Sequence, residues 1–178
     1  YNPATGSDDR DDCIDVGPGH YSDEWGTAEQ LECAPGTYQP NSGQMSCLDS
    51  DSGHFVAYSG AISQSACPVG TYNPFEASGS VADCGPADPG HYVDSQASSS
   101  QTPCSPGTYQ SAPGQLSCID ADPGHYVPTE QSQTQSECLQ GTFQPYSGAS
   151  SCSDAEPGYY VDSNGSASQS DCPPTTYN

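Results

Sequence analysis

Apolar positions fall singly or in pairs along the chain, and no helical spacing connects them. The recurrent apolar step is one aromatic placed just after a turn. One version reads Gly36-Thr37-Tyr38, Gly70-Thr71-Tyr72, Gly107-Thr108-Tyr109 and Gly141-Thr142-Phe143. The other reads Gly19-His20-Tyr21, Gly53-His54-Phe55, Gly90-His91-Tyr92, Gly124-His125-Tyr126 and Gly158-Tyr159-Tyr160. Pro-Gly before such a step is a turn signal. The β-prone step after it, such as His91-Tyr92-Val93, predicts a strand of three or four residues. The 19 Gly and 17 Pro exclude helices of note. The pattern predicts a small, mostly β and irregular fold, a ladder of short hairpins. Each aromatic is expected over a neighbouring disulfide or aromatic, where it gains most buried area.

The cysteines show that the pattern is periodic. They stand at 13, 33, 47, 67, 84, 104, 118, 138, 152 and 172, with steps of 20, 14, 20, 17, 20, 14, 20, 14 and 20. The chain is a tandem array of 34-residue repeats, once lengthened to 37. A fixed period of this size marks a linear stack of supersecondary units. The divisions are an N-terminal arm at 1–12, repeats at 13–46, 47–83, 84–117 and 118–151, and an incomplete fifth repeat at 152–178.

Ile, Leu, Val and Phe together number 17. Burying one such side chain yields about 1.5–3 kcal/mol, while ordering each residue costs about 1.5 kcal/mol. A core of this composition cannot hold 178 residues without staples or neighbours, so an elongated, disulfide-stapled rod is expected. Structural disulfides persist in oxidising compartments, which places the chain outside the cell or on its surface. Formal net charge is −22 and Arg10 is the lone Lys or Arg. Binding to nucleic acid or to an anionic lipid surface needs clustered cations and is excluded. No run of 18 apolar residues is present in this segment, so membrane insertion is not expected from it. The opening Tyr-Asn-Pro is the start expected of a mature form or an excised segment.

Two disulfide sets fit the spacing. One is Cys33–Cys47, Cys67–Cys84, Cys104–Cys118 and Cys138–Cys152, leaving Cys13 and Cys172 over. The other is Cys13–Cys33, Cys47–Cys67, Cys84–Cys104, Cys118–Cys138 and Cys152–Cys172. Spacing alone does not choose between them.

The run Cys33-Ala-Pro-Gly-Thr-Tyr38 with Ser42-Gly-Gln-Met-Ser-Cys47 resembles the ephrin-receptor-like cysteine-rich repeats. It is also similar to the small loop module of tumour-necrosis-factor-receptor ectodomains. The resemblance extends over nearly the whole chain and implies an extracellular stalk with little regular secondary structure. It also implies the first disulfide set. The chain departs from the family at its junctions. Ala121-Asp122-Pro123-Gly124 stands where a family half has Cys-x-x-Gly, so that half lacks a disulfide of its own.

The two ends read as parts of one module. Overlaying Tyr177-Asn178 on Tyr1-Asn2 gives a run from Cys172 to Cys13 with the 17-residue spacing of Cys67 to Cys84. Cys-Pro, Thr-Tyr-Asn-Pro and Asp-Cys stay in register throughout. The overlay sets a period of 176, the chain length less the two shared residues. It points to one unit of a head-to-tail array, either successive segments of a longer polypeptide or separate subunits that self-associate head to tail, with an inter-unit bond between Cys172 and Cys13. A heterologous contact of that kind does not close on itself and yields a filament.

Other chemistry is sparse. The pairs Asp49 with Asp51, Asp120 with Asp122 and Asp154 with Glu156 precede a turn glycine, a weak calcium candidate that lacks the distal bidentate Glu. His20, His54, His91 and His125 recur one repeat apart, which suits a turn role rather than a shared metal, and no Cys-x-x-Cys zinc spacing occurs. No phosphate loop or nucleophile elbow is present; no cofactor and no catalysis are expected. Asn164-Gly165-Ser166 is an N-glycosylation sequon, and 39 Ser and Thr leave room for O-glycans. The expectation is an extracellular structural fibre. The rival is a receptor or adhesin stalk that binds a protein or glycan partner.

Overall fold

The computed structural model describes residues 1–174. The overlay of Tyr177-Asn178 and the end of the fifth repeat lie outside the described residues. Among those residues there is no α-helix; 3₁₀ turns occur at Arg10–Asp12 and Val81–Asp83, and every strand is two residues long. The chain forms two compact units. The first comprises Tyr1–Gly85 with Ser95–Ser100, and the second comprises Pro86–Asp94 and the chain from Gln101 onward.

In the first unit His20–Tyr21 pairs with Leu31–Glu32, Thr37–Tyr38 with Leu48–Asp49, and His54–Phe55 with Ser65–Ala66. In the second, His91–Tyr92 pairs with Thr102–Pro103 and Thr108–Tyr109 with Ile119–Asp120. The same unit pairs His125–Tyr126 with Ser136–Glu137, Thr142–Phe143 with Ser153–Asp154, and Tyr159–Tyr160 with Ser170–Asp171. All are antiparallel. The strands are shorter than the sequence predicts for a definite reason. The residue after the aromatic leaves the hairpin and donates its N–H to a carbonyl further along the chain: Val56 to Ser78 at 2.9 Å and Val127 to Ala149 at 2.9 Å.

That exchange belongs to a backbone network repeated in both units. Among the described residues seven turn glycines donate their N–H to a carbonyl in the following half-repeat, as Gly36 does to Val56 and Gly124 to Gln144. The carbonyl of such a glycine accepts from the residue just after the partner strand: Ser50 N–H for Gly36 and Cys138 N–H for Gly124, both at 2.8 Å. Gly124 also sits flush on the next turn. With φ +84°, a Cβ there would stand 2.6 Å from the Gly165 carbonyl carbon. Only glycine allows both the positive φ and the close backbone approach.

Backbone fills the interior, so little room is left for rings. The most buried side chains are small: Val16, Val56, Val93 and Val127, Ala87 and Ala121, and Cys33, Cys67, Cys104 and Cys138. The strand aromatics are half-buried, with Tyr160 exposed, and after Phe55, Tyr92, Tyr126 and Tyr160 the following valine takes the interior place. Ala121, where a family half has a cysteine, is fully buried, as are Ala87 and Ser50 at the same place. Cys33–Cys47 and Cys67–Cys84 staple the first unit; Cys104–Cys118 and Cys138–Cys152 staple the second. The alternative set, from Cys13–Cys33 through Cys152–Cys172, is not formed, and Cys13 and Cys172 are free thiols.

Gly124→Ala is therefore expected to destabilise the second unit by about 2–4 kcal/mol, combining strain at positive φ with backbone overlap. Thermal unfolding of the variant beside Gly17→Ala checks this, because a Cβ at Gly17 meets nothing within 4 Å.

Candidate functional site

The acidic turns are held by a side-chain strap that the sequence did not announce. Asp51 N–H donates to Gln64 Oε1 at 2.7 Å, and Gln64 Nε2 donates back to Asp51 Oδ2 at 2.5 Å. Asp122 and Gln135 repeat the exchange at 2.7 Å in both directions, and Asp88 with Gln101 at 2.6 and 2.8 Å. Glu156 N–H donates to Gln169 Oε1 at 2.8 Å. The recurrence of a glutamine at one fixed offset after each of these acidic positions is the signal that could have found it. Asp49, Asp120 and Asp154 lie on exposed strands opposite Thr37, Thr108 and Thr142. Among the described residues no three His, Cys, Asp or Glu side chains converge on a place for a metal ion. His20, His54 and His125 turn Nδ1 towards the carbonyls of Pro18, Ser52 and Pro123 respectively.

Each stapled loop is organised by one amide. In the loops with 14-residue spacing the residue after the aromatic is glutamine. Gln110 Nε2 donates to Ser117 O at 2.9 Å, and its Oε1 accepts from Ala112 N–H at 3.2 Å. Gln39 bridges Ser46 and Asn41 in the same way, and Gln144 bridges Ser151 and Tyr146. In the loop with 17-residue spacing it is Asn73. Its shorter side chain donates to Ser78 Oγ at 2.7 Å and accepts from Phe75 N–H at 3.1 Å. The extra length is taken up by the 3₁₀ turn at Val81–Asp83. There Ser80 caps Ala82 N–H and Asp83 reaches back to Ser80 N–H, a reciprocal capping box.

The N-terminal arm repeats this longer loop bond for bond. Asn2 donates to Ser7 Oγ at 2.7 Å and accepts from Ala4 N–H at 3.0 Å. Gly6 has φ +79°, as Ala77 has φ +54°. Asp9 and Asp12 form the capping box on Arg10–Asp12. Cys13 N–H donates to Arg10 O at 3.0 Å, as Cys84 N–H does to Val81 O at 3.1 Å. Asn2 N–H donates to Thr27 O and Asn73 N–H to Ser98 O, at 2.9 and 3.0 Å. Cys13 thus occupies the closing place of the longer module, the place of Cys84, and its side chain is exposed.

Cys172 occupies the complementary opening place. Its N–H donates to Gly158 O at 2.9 Å, as Cys67 N–H does to Gly53 O at 2.8 Å. Beside Cys13 lies a cavity of about 620 Å³ lined by Tyr1, Arg10, Cys13, Trp25 and Gly26 among others. Trp25 is 92% exposed. In the complete module Cys84 is bonded to Cys67, whose carbonyl accepts from Ala97 N–H, the counterpart of Gly26. Asn164 is exposed, and its Oδ1 accepts from Gln140 N–H at 3.1 Å.

Gln110→Leu keeps the volume but strips two part-buried backbone groups of their partner, at an expected cost of about 1–2 kcal/mol. Faster hydrogen exchange at Ala112 N–H than in the parent is the measurement that checks it.

No curated protein matches the chain. Residues 19–67 match the model of a family described as tyrosine-protein kinase ephrin type A/B receptor-like. That stretch runs from the first turn glycine to Cys67 and contains the Cys33–Cys47 staple. Residues 19–67 thus resemble an ephrin-receptor-like cysteine-rich segment, and the hairpin, turn and cysteine spacing of that stretch recur along the chain.

Proposed function

We propose that the chain is one unit of an extracellular structural fibre, joined head to tail through Cys172 of one unit and Cys13 of the next. The observation that carries this reading is the bond-for-bond match of the arm at residues 1–13 to residues 72–84, which leaves Cys13 a closing cysteine. Cys172 is an opening cysteine followed by Pro173, with Tyr177-Asn178 further on in sequence. Asparagine after the aromatic goes with the longer stapled loop in this chain, and glutamine with the shorter one. Two thiols would give one disulfide, with two protons and two electrons passing to an oxidant of the extracellular compartment.

The negative charge would keep neighbouring fibres apart. Four internal disulfides and an ephrin-receptor-like segment are features of extracellular domains. No helix among the described residues is long and apolar enough to cross a membrane.

A second reading is a receptor or adhesin stalk. It is favoured by the exposed rings of Trp25, Tyr58, Phe75 and Tyr146, which suit a partner surface. Electrophoresis separates the two readings. The fibre predicts a ladder of linked units without reductant that collapses to one 18.4 kDa band with it, and a Cys13→Ser variant without a ladder. A single band under both conditions supports the stalk. We further propose that Asn164 bears an N-glycan in a eukaryotic secretory host. Intact mass is expected to exceed the bare sequence and to return to it, apart from the substitution, in Asn164→Gln.

A further inference from the structure

The two ends also match in a way that does not involve sulfur. Inside the first unit, two turn glycines press on two later turns. A Cβ at Gly36 would stand 3.0 Å from the Ala77 carbonyl carbon, and one at Gly53 would stand 2.6 Å from that of Ala97. Gly36 and Gly53 are the pressing residues of this joint, and Ala77 and Ala97 the receiving ones. Each receiving residue has positive φ, +54° at Ala77 and +58° at Ala97. Each also donates its N–H back, Ala77 to Ser50 O at 2.9 Å and Ala97 to Cys67 O at 3.0 Å.

The ends of the chain hold the separate halves of the same joint. Gly141 and Gly158 are pressing glycines with the sequence spacing of Gly36 and Gly53, and with φ +86° and +89°. Among the described residues nothing lies within 4 Å of a Cβ at either. Gly6 and Gly26 are receiving turns with the sequence spacing of Ala77 and Ala97. Their φ values are +79° and +76°, and their surroundings are equally open. Among the described residues, the N–H groups of Gly6 and Gly26 donate to no other group, whereas those of Ala77 and Ala97 do. The 620 Å³ cavity is lined in part by Gly26.

We infer that a second copy of this chain docks here by a backbone seam: Gly141 and Gly158 of one copy seat on the carbonyls of Gly6 and Gly26 of the next. In that seam Gly6 N–H donates to Ala155 O and Gly26 N–H to Cys172 O, the bonds that Ala77 and Ala97 make internally. The seam rests on the head-to-tail reading and deepens it. It sets the register before any disulfide forms and brings Cys172 beside Cys13. It also specifies which substitutions the joint tolerates. The receiving turn accepts a Cβ, since Ala77 and Ala97 carry one, whereas the pressing turn does not.

Two variants of the full chain carry the test, Gly158→Ala and Gly26→Ala. Both put alanine at positive φ, so a purely conformational penalty moves both. Melting of each with reductant present gauges that penalty. The rate of Cys172–Cys13 bond formation in a glutathione redox buffer, read by mass spectrometry, is expected to fall roughly tenfold or more in Gly158→Ala. In Gly26→Ala it is expected to stay within about twofold of the parent, because the internal joint has alanine at that place. If Gly158→Ala links as fast as the parent, the seam is wrong while the linked array stands. If the parent never forms the bond, the disulfide reading falls and sedimentation of the parent decides the seam. Association lost in Gly158→Ala then supports the seam, and a monomer at the highest soluble concentration overturns it.

Discussion

The constraint this structure depends on is backbone packed against backbone, a glycine turn laid so near the carbonyl of a later turn that a Cβ would not fit. Everything else accommodates it. The positive φ of Gly124 and the nearness of Gly165 remove space for side chains. The interior places that remain take Val, Ala, Cys and one amide per loop. Polar backbone groups that a conventional core would shut away are instead paired from turn to turn, as buried N–H and C=O groups must be. The repeat period is the spacing at which this pairing closes on itself.

Such an interior yields little apolar burial, and the cysteines supply what it lacks. Each disulfide closes a loop with a sequence separation of 14 or 17. At that length a cross-link contributes about 3 kcal/mol through the unfolded chain. The other half of each repeat has no staple; in three of them it is tied by the Gln–Asp strap and by a buried Ser50, Ala87 or Ala121 at its foot. Both halves then present the same turn to their neighbours. A repeated turn of this kind is what the proposed fibre requires of its units.

Much of this was legible in the residues. The cysteine spacing gave the repeat, and the Pro-Gly-Thr-Tyr and Gly-His-Tyr steps gave the hairpins. The two equal spans gave the correspondence between the arm and the Cys67–Cys84 loop. What escaped had no hydrophobic signature. Gln110 and Asn73 look like ordinary polar residues after an aromatic, yet they organise their loops from the inside. The Asp122–Gln135 strap gave no hydrophobic signal, because the two residues stand on opposite arms of a hairpin and no apolar periodicity connects them. The rings misled in the other direction. Aromatic area suggests burial, but a backbone-filled interior has no room for Tyr126 and takes Val127 instead.

The account turns on Cys13 and Cys172 being two parts of one staple. The direct measurement is disulfide mapping of native material after mixing isotope-labelled and unlabelled preparations, digested with an acidic-residue-specific protease because Arg10 is the lone basic cleavage site. The account predicts a linked peptide pair holding Cys172 of one copy and Cys13 of another, with mixed labels. Both thiols free in assembled material, or both bonded to cysteines of their own chain, would contradict it.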